Sequence, residues 1–183
     1  MKANPMLKRL PTLLTLVNLL LGLAVVFAHG ERGPVYLPRA CSLIVTAALL
    51  DAADGALARR LGVESDLGKQ LDSFADLISF GLAPVLITLT HDGVRAAGWP
   101  SYAALGLYVL AGAFRLARYN LGDFREFFVG LPITAAGTIL VLINALAHYT
   151  ELLEQSWAAA VLNCLVVLLA GLMASKVRIK RFL

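Results

Sequence analysis

The sequence predicts an all-α integral membrane protein of six transmembrane helices, with both termini cytoplasmic. Two observations predict this class and a third orients it. The 183 residues are 59% hydrophobic and only 15% charged, where a soluble domain carries nearer a quarter charged. Uncharged runs at 10–30, 96–114, 127–150 and 155–175 have the length of a bilayer-spanning helix, about 20 residues. Of the sixteen Lys and Arg, all but Arg32, Arg39 and Arg95 fall on one side once the spans are drawn. Basic residues collect on the cytoplasmic side, so that side holds both ends.

The first span is expected over 10–29. Lys2, Lys8 and Arg9 precede it as in a signal peptide. The apolar run is too long for a cleaved segment, and no small-residue cleavage site follows, so an uncleaved helix is expected. The Gly- and Pro-bearing loop GERGPVYLPR leads to a second span over 38–59, and a short basic turn leads to a third over 68–91. HDGVRAAGWPS separates the third from a fourth over 99–119. LGDFREFF (121–128) mixes phenylalanines with charges and is expected along the inner interface, as a short amphipathic helix or a plain loop. The fifth and sixth spans follow over 129–149 and 156–175, making 1–183 one membrane domain.

Trp99, Tyr102, Tyr149 and Trp157 fall at the outer interface, as an aromatic belt requires. Cys41 and Cys164 lie in apolar runs and read as small buried hydrophobes without a disulfide or zinc framework. His29, His91 and His148 all sit at outer helix ends. The net charge of +4 reads as topology and contact with anionic lipid, with no nucleic acid needed.

Asp51, Asp54, Asp72 and Asp76 stand in or beside these apolar stretches. An ionisable group within a membrane span costs several kcal/mol and marks function. Asp51 and Asp54 are three residues apart and Asp72 and Asp76 four apart, so each pair shares a helix face. Asp51 lies eight residues before Arg59, and Asp76 eight after Gly68. At 1.5 Å per residue each is about 12 Å from its end of an antiparallel hairpin. Four carboxylates at one depth repel unless cations neutralise them, and hard oxygen ligands suit Mg²⁺ or Mn²⁺. Asp66 is expected as an interfacial cap before Gly68. Ala52, Ala53, Gly55, Ala56 and Ala58 serve helix packing or let a ligand approach the backbone.

The spacing D-x2-D-G-x2-A-R-x8-G-x3-D-x3-D, from Asp51 to Asp76, resembles the signature of the CDP-alcohol phosphotransferase family without a departure. LPTLLTLVNLLLG (10–22), DSFADLISFGLAP (72–84), FRLARYN (114–120), FVGLPITAAG (128–137) and LMAS (172–175) resemble its phosphatidylserine synthase branch. Thr134 departs from that branch, where a second proline is expected.

The resemblance implies a homodimeric enzyme of the cell (inner) membrane, and the split of basic residues turns its active site to the cytoplasm. It would transfer a phosphatidyl or archaetidyl group from a CDP-diacylglycerol-type lipid to the hydroxyl of L-serine, releasing CMP. Asp51, Asp54, Asp72 and Asp76 would hold divalent metal, Mg²⁺ or Mn²⁺, as a two-ion site, with Asp76 also the base. Gly55, Ala58, Arg59, Ser65, Gly68 and Asn18 would bind the CDP-lipid, and Arg115, Arg118 and Asn120 the acceptor, with Lys69 an alternative. Ordinary structural roles compete for several of these. Arg59 could snorkel, Ser65 could be a plain loop residue, Asn18 could bond a neighbouring helix, and the two helix-4 arginines could be anchors. Other acceptors, glycerol phosphate or inositol, would leave the reaction class unchanged. An ion or proton-coupled transporter is the alternative from another class, but it has no use for the Gly/Ala/Arg spacing.

Overall fold

A computed structural model describes residues 5–29, 36–63, 65–121, 127–150, 157–176 and 178–180. Helices carry the fold: α1 (Pro5–Ala28), α2 (Tyr36–Leu61), α3 (Asp66–Asp76), a π-helical turn (Leu77–Leu82), α4 (Ala83–Thr88), α5 (Asp92–Ala96), α6 (Trp99–Leu121), α7 (Ile133–Thr150) and α8 (Ala158–Ala174). Of these, four stretches are long and apolar enough to cross a membrane, namely Leu10–Ala28, Tyr36–Leu61, Asp66–Thr88 and Ile133–Thr150. Alpha-helix α8 is apolar but has 17 residues, about 26 Å of rise. One departure from helix is a small antiparallel ribbon, β1 (Phe127–Val129) with β2 (Arg178–Lys180). It takes up the end of LGDFREFF, whose residues 122–126 lie outside the described ones.

Large apolar side chains cover much of the outside, among them Leu20, Phe27, Leu49, Leu110, Leu146 and Leu168. Surface of that kind belongs against lipid. Trp99, Tyr102, Tyr149 and Trp157 are exposed with them. Cys41 is buried as expected, but Cys164 is exposed on α8, because its position faces away from the bundle.

The chain turns sharply between α2 and α3. Gly62 takes φ +60°, and the Gly62 and Val63 amides donate to the carbonyls of Arg59 and Ala58. This is a glycine-terminated helix end in which the orphan carbonyls are satisfied. Ser65 then caps α3, its Oγ accepting from the Gly68 amide at 3.1 Å. The cap is therefore Ser65 rather than Asp66, which instead occupies the first turn of α3 and pairs with Lys69 at 3.8 Å.

The π-helical turn follows from Pro84, which has no N–H to give and would clash with the carbonyl four residues back. That carbonyl, Phe80 O, accepts from the buried Tyr108 hydroxyl at 2.9 Å. Neighbouring helices come close at this turn. A Cβ on Gly137 would lie 2.6 Å from Phe80 O, and Gly22 is equally crowded by Ser79.

Polar contacts fix the helix directions. Asn163 donates to Ser101 at 2.9 Å near the starts of α8 and α6, and Arg118 donates to Ala174 O at 3.1 Å near their ends. These two helices are therefore parallel. Thr134, at the start of α7, bonds Asp51, late in α2, so those two are antiparallel. The ends of α2, α6 and α8 and the starts of α3 and α7 thus share one end of the bundle.

Candidate active site

That shared end holds the aspartates. The α2 face that buries Leu37, Ala40, Cys41, Ile44 and Ala47 continues, at helical spacing, into Asp51 and Asp54. The α2–α3 hairpin then brings Asp72 and Asp76 opposite them. Asp51, Asp72 and Asp76 each offer one carboxylate oxygen, and these oxygens all lie within 4.8 Å of one another. Among the described residues they form the one group of His, Cys, Asp or Glu able to hold a metal ion. Asp54 is 5% exposed and faces the same space from one turn away, its Oδ2 accepting from Thr15 at 2.8 Å. Asp51 Oδ2 accepts from Thr134 at 3.1 Å.

Asp72 Oδ1 and Asp76 Oδ1 are buried without a hydrogen-bond partner in the protein. Buried carboxylate oxygens left unmatched cost several kcal/mol. A bound cation removes that penalty, and an all-oxygen donor set is what Mg²⁺ or Mn²⁺ takes. The residues present fit a hard divalent metal.

Two adjoining cavities open on this cluster. One, of about 180 Å³, is walled by Pro11, Thr15, Asp54, Gly55, Ala58, Arg59, Ser65, Gly68 and Asp72, among others. The other, of about 260 Å³, is lined by Asp51, Asp72, Asp76, Arg115, Asn120 and Thr134, among others. Asp54, Gly55, Arg59, Lys69, Asp72 and Tyr119 belong to both walls. Gly55, Ala58 and Gly68 keep the first cavity open. A Cβ on Gly68 would sit 3.0 Å from Ser65 Oγ, and one on Gly55 would sit 3.3 Å from the Arg59 guanidinium.

The expected site residues do not all gather here. Arg115 does: it is 7% exposed, lines the larger cavity and leaves its Nε without a partner. Asp76 lines the same cavity. Asn120 joins the same wall, its amide donating to Ser73 Oγ at 2.9 Å and Gln70 Oε1 at 3.4 Å. Arg118 points elsewhere. One turn from Arg115, it donates to the carbonyls of Ala174 (3.1 Å), Met173 (3.5 Å) and Ser175 (3.0 Å) and lines neither cavity. A cation on the last carbonyls of a helix caps it and opposes its dipole. Asn18 is fully buried and also lines neither cavity, although its side-chain amide has no partner and its carbonyl accepts from Ser79 at 3.0 Å. His29 and His148 instead make ring contacts with Tyr36 and Tyr149.

Thr15 and Tyr119 were not legible as site residues. Thr15 sits one turn before Asn18, but its partner Asp54 is 39 residues away and nothing local marks the pairing. Tyr119 lies inside FRLARYN, where the flanking arginines and Asn120 carry the stronger signal.

Comparison with known sequences decides the family. The model of the CDP-alcohol phosphatidyltransferase family matches residues 8–175. The chain belongs to that family. A CDP-diacylglycerol–serine O-phosphatidyltransferase of Helicobacter pylori is 36% identical over 185 residues, spanning 100% of this chain and 76% of that protein. The protein of the same name in Bacillus subtilis is 33% identical over 146 residues, 74% of this chain and 75% of its own. Its namesake in Methanocaldococcus jannaschii is 33% identical over 135 residues, 72% of this chain and 60% of its own. As a member of the CDP-alcohol phosphatidyltransferase family, the chain is a membrane-associated transferase of lipid biosynthesis.

Proposed function

We propose that this enzyme transfers a phosphatidyl-type group from a CDP-diacylglycerol-type lipid to the hydroxyl of L-serine, releasing CMP. One observation carries the reading: three carboxylates converge within 4.8 Å between a small-residue cavity and a cavity holding a buried arginine. The names of the relatives support serine as acceptor.

Asp51, Asp54, Asp72 and Asp76 would hold the divalent metal, two Mg²⁺ or Mn²⁺ ions. The metal would supply charge neutralisation on the diphosphate and make CMP a better leaving group. Gly55, Ala58 and Gly68 give the nucleotide and diphosphate close access to the backbone, and Arg59 and Ser65 stand at the rim of that cavity. Asp76 takes the proton from the serine hydroxyl as it attacks phosphorus, which requires hydrogen-bond reach between the two. Arg115, buried beside it, faces the serine carboxylate, and Asn120 shapes the same wall. Transfer is a single in-line displacement. The cluster holds no Cys or His as nucleophile.

The whole chain, 1–183, would form one domain of six membrane spans, with α6 and α8 crossing beside the four longer stretches. The parallel run of α6 and α8 and the antiparallel run of α2 and α7 fit strict alternation across a bilayer. With both termini cytoplasmic, the aspartate end faces the cytoplasm of the inner membrane. A homodimer is the expected assembly. The test is acceptor choice: purified protein given CDP-lipid and Mn²⁺ or Mg²⁺ should consume serine and leave glycerol phosphate and inositol unused. Use of either of those with serine ignored would overturn the acceptor and keep the reaction class.

A further inference from the structure

The two carboxylates of α2 are each held by a threonine from a different helix. Thr134, in the first turn of α7, reaches Asp51 Oδ2 at 3.1 Å, and Thr15, midway along α1, reaches Asp54 Oδ2 at 2.8 Å. Thr15 also lies 3.1 Å from the Pro11 carbonyl. A hydroxyl has one proton to give, and the shorter, charged acceptor is the stronger partner. In both pairs the hydroxyl engages Oδ2.

We infer that Thr15 and Thr134 are positioning residues that fix the rotation of Asp54 and Asp51, so that each offers one set oxygen to the metal. The inference rests on the metal reading given above. A carboxylate on two rotatable bonds, beside like charges, swings away unless something holds it. Asp51 has Asp72 and Asp76 as such neighbours. Losing a partner that orients a ligand in this way typically costs a metal site about ten- to a hundredfold in affinity. Thr134 gives the point a particular edge in this chain. A proline at that place would fit the first helical turn but could not donate the bond.

The experiment is direct Mn²⁺ titration of the purified, metal-stripped protein by electron paramagnetic resonance. It is run on the wild type, Thr134→Val, Thr15→Val and the serine replacements, with KM for Mn²⁺ and for CDP-lipid measured alongside. Valine keeps the shape and removes the hydroxyl, whereas serine keeps the hydroxyl. Each valine variant should bind Mn²⁺ about ten- to a hundredfold more weakly. Its KM for Mn²⁺ should rise in step, with little change in KM for CDP-lipid. Each serine variant should return most of the lost affinity. A valine variant with wild-type Mn²⁺ affinity refutes the role of that threonine, and so does a serine variant as weak as the valine one. Wild-type protein that binds no Mn²⁺ would refute the metal reading itself, a result distinct from either.

Discussion

Arg115 and Arg118 lie one turn apart on α6, yet the structure sends them to different places, and substituting each should separate their roles. Arg115 is buried in the larger cavity with its Nε unpaired, so its guanidinium is available to an acceptor carboxylate. A hydrogen bond between charged groups is worth about 1.5–3 kcal/mol. Losing it in Arg115→Ala corresponds to a rise in serine KM of roughly ten- to a hundredfold. The KM for CDP-lipid should change far less. Arg115→Lys should recover part of the loss, since it keeps the charge but not the planar fork. Arg118 instead holds the carbonyls of Met173, Ala174 and Ser175. Its contacts are partly exposed, so Arg118→Ala should cost stability near the low end of the same range, about 1.5 kcal/mol. That loss would appear as a lower Tm in detergent with serine KM unchanged. The assay is initial-rate kinetics over both substrates, paired with thermal unfolding of each variant. A larger effect of Arg118→Ala than of Arg115→Ala on serine KM would refute the division. Equal effects of Arg115→Ala on both substrates would move that residue to the lipid phosphate.

Three further outcomes follow from the same geometry. Gly137→Ala should destabilise the bundle by about 1–3 kcal/mol, because its Cβ would lie 2.6 Å from Phe80 O and 2.7 Å from Phe80 Cβ; an unchanged Tm would show that α7 can move off the π-helical turn at no cost. With Cys41 and Cys164 replaced by alanine, Ser65→Cys should react with an impermeant thiol reagent only from the cytoplasmic side, and labelling of intact cells from outside would reverse the topology. A CDP-lipid made chiral at the transferred phosphorus should give product of inverted configuration, whereas net retention would demand a covalent enzyme intermediate.

Much of this was legible in the sequence because the signals are local. Apolar runs placed the helices within a few residues, and the aspartate spacing set two carboxylate pairs at one depth across a hairpin. What escaped depends on partners distant in sequence. The π-helical turn at Leu77–Leu82 needs the Tyr108 hydroxyl to donate to the carbonyl that Pro84 leaves free, and no window around Pro84 contains Tyr108. Arg118 reads like Arg115 until α8 arrives beside it, 55 or more residues later. The Ser65 cap was within reach, since a serine three residues before a glycine amide is a familiar helix start, but Asp66 offered a competing one. The ribbon of Phe127–Val129 with Arg178–Lys180 joins segments too short to carry a strand pattern of their own.

The proposed function turns on metal-dependent transfer at the aspartate cluster, with Asp76 as its base. The most direct measurement compares wild type and Asp76→Asn after metal removal. CMP release from CDP-lipid and serine is followed as Mn²⁺ is added back, and CDP-lipid binding is measured separately. The wild type should be inactive without metal and recover on addition. Asp76→Asn should stay inactive at every Mn²⁺ concentration while still binding CDP-lipid. Undiminished CMP release by Asp76→Asn, or full wild-type activity without metal, would contradict the account.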